Sequence, residues 1–555
     1  MKKKNLGVLF LTGVLAVGTL SGCGDKDENS NDQNVSNNET KKVTELTFYN
    51  ADATVDSWTD PVAQALTEAT GVKLKTDYPV SSTDQKVALM IAEQNYPDMI
   101  YAKGDAGSLI DAGALIDLTD LIEQYGPNIK KMYGEELDKL KYSVDDPSIY
   151  QLSSYSIGGT NYKSSGTAQV QWAFLKENNY NVPKTLDEFE TMLKAYLAAH
   201  PTTPDGLDMI GFTLSASDWH WMITLGNPAG YIAEGAPDNG QWIIDENYNA
   251  IYKFRSEKVR EYFKWMNRMY NEGILDSEFA TQTHEDYIAK IASGRVVALF
   301  DTDWDYGDGE KILKADNKLE LTYAGIPLTM DADTKAPSLA YQGLTTGQGV
   351  GITTACKDPV AAIKFIDYIC SDEGQVLVSW GIKDVNYFVD ENGHRYRTQE
   401  EIDESNNNKD YSKNTGVGFH SYPFPTYGDG VEDSTGNTYT PNSKEAVIAQ
   451  YDAEQQAACK AWNVDLLVDI FPQASEFEVP KYSAIWAYAK PMEFDEIGNQ
   501  LDEISWSKLI SCVIGSIDSF DANYNAMLNE LESAGMSKAE QMLTDIIKGR
   551  VQLVQ

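Results

Sequence analysis

Two short stretches concentrate the side chains that could do chemistry. Ser217-Asp218-Trp219-His220-Trp221 sets two indoles two residues apart, beside a carboxylate and an imidazole. Asp301-Thr302-Asp303-Trp304-Asp305-Tyr306-Gly307-Asp308-Gly309-Glu310 is the densest carboxylate cluster in the chain and again carries a tryptophan. An indole offers a flat apolar face to the CH surface of a pyranose ring, and neighbouring polar groups satisfy the hydroxyls. Each stretch has a second reading. Tryptophans are mostly buried, so core packing competes evenly with a cleft at Trp219 and Trp221. Aspartates 301, 303 and 305 match the opening of a calcium loop, but Tyr306 stands where that loop needs glycine and Ile312 where it needs glutamate. Two of these carboxylates could also flank a glycosidic bond, at a separation of ~5–9 Å that a sequence does not fix. A solvated acidic loop is the plainest alternative.

Other reactive arrangements are absent. There is no Gly-x-Ser-x-Gly, no His-Glu-x-x-His and no Gly-x-x-x-x-Gly-Lys-Ser/Thr, and the histidines are scattered at 200, 220, 284, 394 and 420. Cys23, Cys356, Cys370, Cys459 and Cys512 form no Cys-x-x-Cys pair, which leaves no support for a zinc ribbon. The last four read as small apolar core residues, with two bridges left open. The 84 acidic and 45 basic side chains, net charge -39, would repel a phosphate backbone, so no nucleic-acid partner is expected.

The elements that must hold these residues are legible from Val43 onward. Glu45–Asn50 reads as a strand. Asp60-Pro61 opens a helix that Gly71 stops, Val72, Leu74 and Thr76 alternate as a second strand, a helix covers 84–95, and Pro97–Tyr101 is a third strand. Strand–helix repetition of this kind builds a parallel sheet whose ligands sit at the carboxyl ends of strands, here Tyr49, Asn50 and Asp52, and Tyr101 and Lys103. Thr185-Leu-Asp-Glu188 is a capping box, Asp358-Pro359 starts a further helix, and Ser537-Lys-Ala-Glu540 starts one that runs to about Gly549. Residues 390–445 are polar and weakly periodic, and read as loops with a small hairpin. A chain of 555 residues with 42% hydrophobic side chains has the length and apolar content for two or more cores.

The amino terminus carries an address. Lys2, Lys3 and Lys4 precede an uncharged stretch from Leu6 to Leu20, and Leu20-Ser21-Gly22-Cys23 matches the lipobox of bacterial lipoproteins. Cleavage before Cys23 and diacylglycerol on its sulfur are expected, with residues 1–22 as signal peptide. Two acyl chains would hold the protein at a membrane surface. Residues 24–42 hold a single apolar side chain, Val35, and are expected to act as a flexible tether within 23–43.

The order of several passages resembles a known family. Tyr96-Pro-Asp98-Met-Ile100, Leu109-Ile-Asp-Ala-Gly113-Ala-Leu-Ile-Asp117-Leu, Val182-Pro-Lys-Thr185, Gly294-Arg-Val-Val-Ala-Leu-Phe300 with Trp304, and Gly351-Ile-Thr-Thr with Asp358-Pro359 carry the likeness. They are similar to the extracellular solute-binding proteins of ABC importers, family 1, most closely the large lipoprotein branch of Gram-positive bacteria. The resemblance implies an α/β, two-lobed periplasmic-binding-protein-like fold of type II, with a hinge of several chain crossings. The lobes expected are 44–150 with 303–372, and 151–302 with 373–555. It implies a monomer, lipid-anchored on the extracellular face of the cell membrane, that closes on a carbohydrate and delivers it to ABC permease subunits without catalysis. The expected contacts are Tyr49, Asn50, Asp52, Tyr101, Lys103, Tyr155, Trp219, Trp221, Asp301, Asp303 and Trp304. Two departures stand out. Gln171, Trp172 and Ala173 replace an Arg and Asp frequent in relatives, and His200–Met209 lacks the alternating carboxylates of their calcium loop, so neither a metal nor a cofactor is expected. A secreted acidic glycoside hydrolase and a peptide- or metal-binding receptor of similar architecture remain alternatives.

Overall fold

The computed structural model describes residues 43–52, 57–79, 85–153, 156–164, 166–341, 344 and 346–553. Cys23, the expected signal sequence and tether, and Tyr155 lie outside the described residues.

The described chain opens with β1 (Thr44–Asn50), whose inward residues Leu46 and Phe48 are buried. Asp60 caps the helix Pro61–Thr70 by accepting from the Ala63 amide at 2.9 Å, and Gly71 ends it at φ 71°, the left-handed conformation that glycine adopts without a Cβ penalty. β2 (Val72–Asp77) then returns parallel to β1, and after the helix Lys86–Glu93, β3 (Met99–Tyr101) pairs parallel on the other side of β1. β4 (Leu152–Ser153) closes this first pass.

A second sheet begins at β5 (Thr167–Gln171), which is buried along its whole length, and continues with β6 (Ile210–Thr213). Between them lies the helix Leu186–Ala199, whose cap Thr185 accepts from the Glu188 amide at 3.3 Å. Glu188 in turn accepts from the Lys184 amide, one residue before the position of a full capping box. A small hairpin, β7 (Trp242–Ile244) with β8 (Ala250–Tyr252), precedes the helix Glu257–Asn271. That helix buries Val259, Tyr262, Phe263, Met266 and Met269 on one face. β9 (Val296–Asp301) and β10 (Tyr323–Ile326) complete a sheet of order β10-β5-β9-β6. Its core is aromatic: Phe212 stacks on Trp265 with centroids 5.5 Å apart, and Phe300 lies 5.2 Å from Phe212.

β11 (Gly349–Ile352) goes back to the first sheet, antiparallel to both β3 and β4, giving the order β2-β1-β3-β11-β4. The helices Pro359–Ile369 and Asp372–Trp380 cover that sheet, and Tyr411, Val417 and Phe424 pack into the same core. A hairpin of β12 (Phe388–Val389) with β13 (Arg395–Tyr396) begins just before the stretch 390–445 where one was expected, and helices at Gln399–Asn407 and Tyr411–Thr415 occupy part of the expected loop. The long helices Met492–Ile514, Phe520–Ser533 and Met536–Leu553 join the core of the second sheet.

The lobe boundaries expected at 303 and 372 therefore need correction. Tyr323–Ile326 is hydrogen-bonded within the second sheet, and 373–440 contributes to cores on the first. The chain changes sheets between β4 and β5 and again between β10 and β11, and it moves from the core around Tyr439 to the second-sheet core around Ala458. Tyr162, Leu339 and Val447 from these three passages meet in one apolar cluster with Leu466, Val468 and Phe471. At the first passage Gly159 and Gly428 approach so closely that a Cβ on Gly159 would lie 2.5 Å from the Gly428 Cα, so two backbones touch where side chains would hold them apart. Cys356, Cys370, Cys459 and Cys512 are all free thiols, and burial raises the pKa of each.

Candidate functional site

A cleft of about 710 Å³ lies beside the crossings. That is within the ~300–1,000 Å³ usual for small-molecule sites. Ser156, Thr160 and Asn161 of the first passage line one part, Thr426, Tyr427 and Asp429 on the first lobe another, and Tyr231, Asp238, Thr302, Trp304 and Trp486 on the second lobe face them. Trp304 sits in the first turn of the helix Asp303–Ala315 and is 60% exposed; Tyr341, also lining the cleft, is 40% exposed. The polar groups of the wall are only partly satisfied. Tyr231 Oη, Thr302 Oγ1 and Trp486 Nε1 are buried without a hydrogen-bond partner. Asp429 accepts from Thr440 Oγ1 at 2.7 Å and from Asn442 Nδ2 at 3.2 Å. Asp238 accepts from the Gly240 amide at 2.9 Å; burial raises its pKa, against the pull of that amide and of Lys253. A second recess of about 470 Å³, beside the helix His284–Ala292, is bounded by Leu207, Glu278, Gln282 and Lys290 and has no aromatic wall.

The expected contacts divide sharply. Trp304 lines the cleft. Trp219 is 42% exposed and parallel to Trp304, with interplanar angle 7° and centroids 6.3 Å apart. Asp303 is exposed one residue before Trp304, in the first turn of a helix rather than in the solvated acidic loop that was the plainest alternative. Trp221, in contrast, is a core residue of the second lobe, because the chain at 217–221 is neither a strand nor an open loop but the lead-in to helical turns at Met222–Gly226. Asp301 is buried at the end of β9 and accepts from Tyr287 Oη at 2.6 Å, so it faces inward rather than into the cleft.

At the first sheet Tyr49 is buried in a small core with Val87 and Ile100. Tyr101 is buried too, hydrogen-bonded to Tyr422 Oη, which donates to Asp52 at 2.7 Å; Lys103 forms an ion pair with Asp52. Asn50 Oδ1 accepts from the Asp52 amide at 3.0 Å. Asn50 and Asp52 border a separate recess of about 230 Å³ with Trp58, His420 and Tyr422. The carboxyl ends of β1 and β3 thus carry a knit polar cluster, distinct from the larger cleft. Tyr231, Asp238, Tyr341, Tyr427, Asp429 and Trp486 were not singled out by sequence. Their only signal was an aromatic or acidic residue in weakly periodic chain, and periodicity cannot tell which of those loops folds back onto a cleft.

Behind Trp304 the carboxylates are buried. Asp301 and Asp305 are adjacent, and both pKa values are raised first by burial, with the neighbouring carboxylate adding to the rise at Asp301. His220 and His284 stand beside Asp305, their Nε2 atoms 3.4 and 3.5 Å from its Oδ1. This arrangement holds no nucleophile with an adjacent base, and it lies behind the cleft wall rather than across it.

Two sheet-bearing lobes with a cleft at their junction, lined by the exposed Trp304, have the architecture of a two-lobed binding protein. The sequence matches the family described as "Bacterial extracellular solute-binding protein" over residues 62–381, more than half of the chain, and the protein belongs to that family. It is 24% identical over 338 residues to Lipoprotein LipO of Bacillus subtilis (strain 168), covering 59% of this chain and 64% of LipO. It is 25% identical over 299 residues to the fructooligosaccharide ABC transporter substrate-binding protein FusA of Streptococcus pneumoniae serotype 4, covering 51% of this chain and 54% of FusA. The matches thus span less than two thirds of either relative. Among solved structures, alginate-binding protein AlgQ2 without calcium ion is similar at TM-score 0.66 and 16% identity, covering 91% of this chain and 98% of that one; it shares the fold. No helix among the described residues is long and apolar enough to cross a membrane.

Proposed function

We propose that this protein is a binding protein, not an enzyme, that captures an oligosaccharide in the cleft between its lobes and hands it to an ABC permease. The observation that carries this reading is the wall of the cleft: the exposed Trp304 indole beside three buried polar atoms without partners, on Tyr231, Thr302 and Trp486. Leaving such an atom unpaired costs ~1–3 kcal/mol, and a ligand dense in hydroxyls would supply what each lacks while its CH face covers the indole. The names of FusA, a fructooligosaccharide receptor, and AlgQ2, an alginate-binding protein, support a glycan as the ligand class. The lipobox at Cys23 and the likeness to LipO support a lipid anchor on the outer face of the membrane, from which the lobes reach ligand as a monomer. Closure of one lobe on the other through the three crossings would complete the site.

The test is calorimetric titration with a panel of fructo-, gluco- and uronate oligosaccharides, with solution scattering of the free and saturated protein. Binding of one panel member with no change in the sugar, and a smaller radius for the complex, is the expected result. Release of shortened sugars would move the protein to the hydrolases, and absence of heat across the panel would remove glycans as the ligand class.

A further inference from the structure

The wall of the cleft carries two carboxylates, Asp238 on the second lobe and Asp429 on the first. Among the described residues that line it there is no lysine, arginine or histidine. The remaining residues of the crossings, Ser154, Tyr155, Ser165, Gln342, Gly343 and Thr345, add no cation to the sequence there. An acidic sugar calls for the opposite, a guanidinium or an ammonium that pairs its carboxylate as water is stripped away.

Cations that adjoin the wall are engaged elsewhere. Lys253 is buried and donates to the Gly240 carbonyl at 2.7 Å. Arg397 donates to the Ser379 carbonyl at 3.2 Å and lies over the Trp380 ring. Lys335 pairs with Glu476 at 3.4 Å. Lys163, two residues beyond Asn161, is exposed and does not line the cleft. The two carboxylates are positioned by neutral donors instead. Asp429 accepts from Thr440 and Asn442, and Asp238 from the Gly240 amide and, at 3.4 Å, from Asn227 Nδ2. A carboxylate has about four acceptor positions, so each can take a further donor.

We infer that the cleft selects an uncharged oligosaccharide and rejects chains that bear carboxylate or sulfate groups, a specificity that rests on the sugar-binding reading above. Each lobe brings a carboxylate to the cleft. Closing both around a third negative charge sets like charges together in a space that is losing its water. The net charge of -39 opposes anions at longer range as well. Neutral hydroxyls do the reverse. They donate to Asp238 and Asp429 and accept from Tyr231 Oη, Thr302 Oγ1 and Trp486 Nε1, the buried polar atoms without partners. Rejection by unpaired like charge is a specificity device in its own right, separate from the contacts that hold the correct ligand.

The experiment is calorimetric titration of the detergent-solubilised full chain with nystose, cellotetraose, β-1,4-mannotetraose and β-1,4-tetramannuronate. A neutral tetrasaccharide should bind at least ~100-fold more tightly than the uronate. The neutral sugar that binds is then converted at a primary hydroxyl to the carboxylate, and from that to the uncharged amide. The carboxylate should lose at least ~100-fold and the amide no more than ~10-fold, which separates charge from shape. Added sodium chloride should strengthen residual binding of the carboxylate by screening; weakening would reveal an attracting cation in the site and sink the inference. Asp238→Asn combined with Asp429→Asn should bring the loss on the carboxylate to within ~10-fold. An acidic sugar bound as tightly as the neutral one, or equal losses for carboxylate and amide, would overturn the selectivity and leave the sugar-binding reading standing. Absence of heat with all the sugars would remove both.

Discussion

At the scale of single residues, Trp304 and Tyr231 separate binding from folding. Trp304 is 60% exposed, so Trp304→Ala removes little packing and should leave the melting temperature within a degree or two. An indole under a sugar contributes ~1–3 kcal/mol, by analogy with bases stacked on aromatics, so affinity for the ligand should fall ~5- to 150-fold. Tyr231→Phe is the companion change. It deletes a buried hydroxyl that has no partner in the protein, so stability should hold or rise by ~1 kcal/mol, while a ligand that uses the hydroxyl loses about tenfold in affinity. Calorimetry and a thermal melt on both variants check this; unaltered affinity in both would take these side chains out of the site.

At the scale of elements, one carboxylate ties the early and late parts of the first lobe together. Asp60 Oδ1 caps the helix Pro61–Thr70 and Oδ2 meets His420 Nε2 at 2.7 Å, with both side chains buried. The His420 ring also packs edge-on against Trp58, with centroids 4.7 Å apart. Burial alone would raise the Asp60 pKa, but the hydrogen bond and charge of His420 hold it below the usual value. Asp60→Ala should cost ~2–4 kcal/mol, the sum of a lost cap and a stranded buried imidazole. Asp60→Asn keeps the cap acceptor and should recover roughly half of that in urea denaturation. Equal midpoints for the two variants would show that the cap contributes nothing.

At the scale of the whole molecule, a buried charge network links the cleft to the carboxy-terminal helices. Lys253 Nζ donates to the Gly240 carbonyl at 2.7 Å, and burial pushes its pKa down to about 7, against the opposing charges of Asp238 and Asp502. Burial pushes Asp502 on the helix Met492–Ile514 up to about 6, against the Tyr252 hydroxyl that donates to it at 3.2 Å and the charges of Lys253 and Lys490. The signs are opposite. For the lysine, the unfolded chain binds the proton more tightly, so its contribution to stability is full above about 10.5 and is lost as pH falls through about 7. For the aspartate, the contribution is full below 3.8 and is lost as pH rises through about 6. Stability should therefore dip between pH 6 and 7 and climb toward pH 9, by up to ~1.4 kcal/mol per pH unit for a single proton. Lys253→Met should remove the rise between pH 7 and 8 and leave the part above pH 8, where Lys490, pushed down to about 8 by burial, contributes with the same sign. Urea midpoints measured from pH 5 to 9 decide it: a parent curve that is flat above pH 7 would mean that Lys253 stays charged when buried.

Local chemistry wrote much of the first lobe into the sequence. Asp60-Pro61 and Gly71 mark both ends of a helix through capping and left-handed backbone, and the alternation of Val72, Leu74 and Thr76 marks β2, because those signals act over a few residues. The helix at Pro359 was legible for the same reason. Which lobe a strand joins was not. β10 and β11 are close in the chain but pair in different sheets, a choice made by long-range hydrogen bonding that leaves no local mark. Side-chain facing behaved alike: Trp219 and Trp221 share a pentapeptide, yet one is exposed and the other is core, since two residues rotate a helical turn far enough to change its surroundings. Residue types could nominate Trp304 as a cleft residue, but only tertiary packing could bring His220, His284 and Asp305 into one cluster. Their separations along the chain follow no short-range pattern, and the distance between side chains is set by how three helix starts pack against one another.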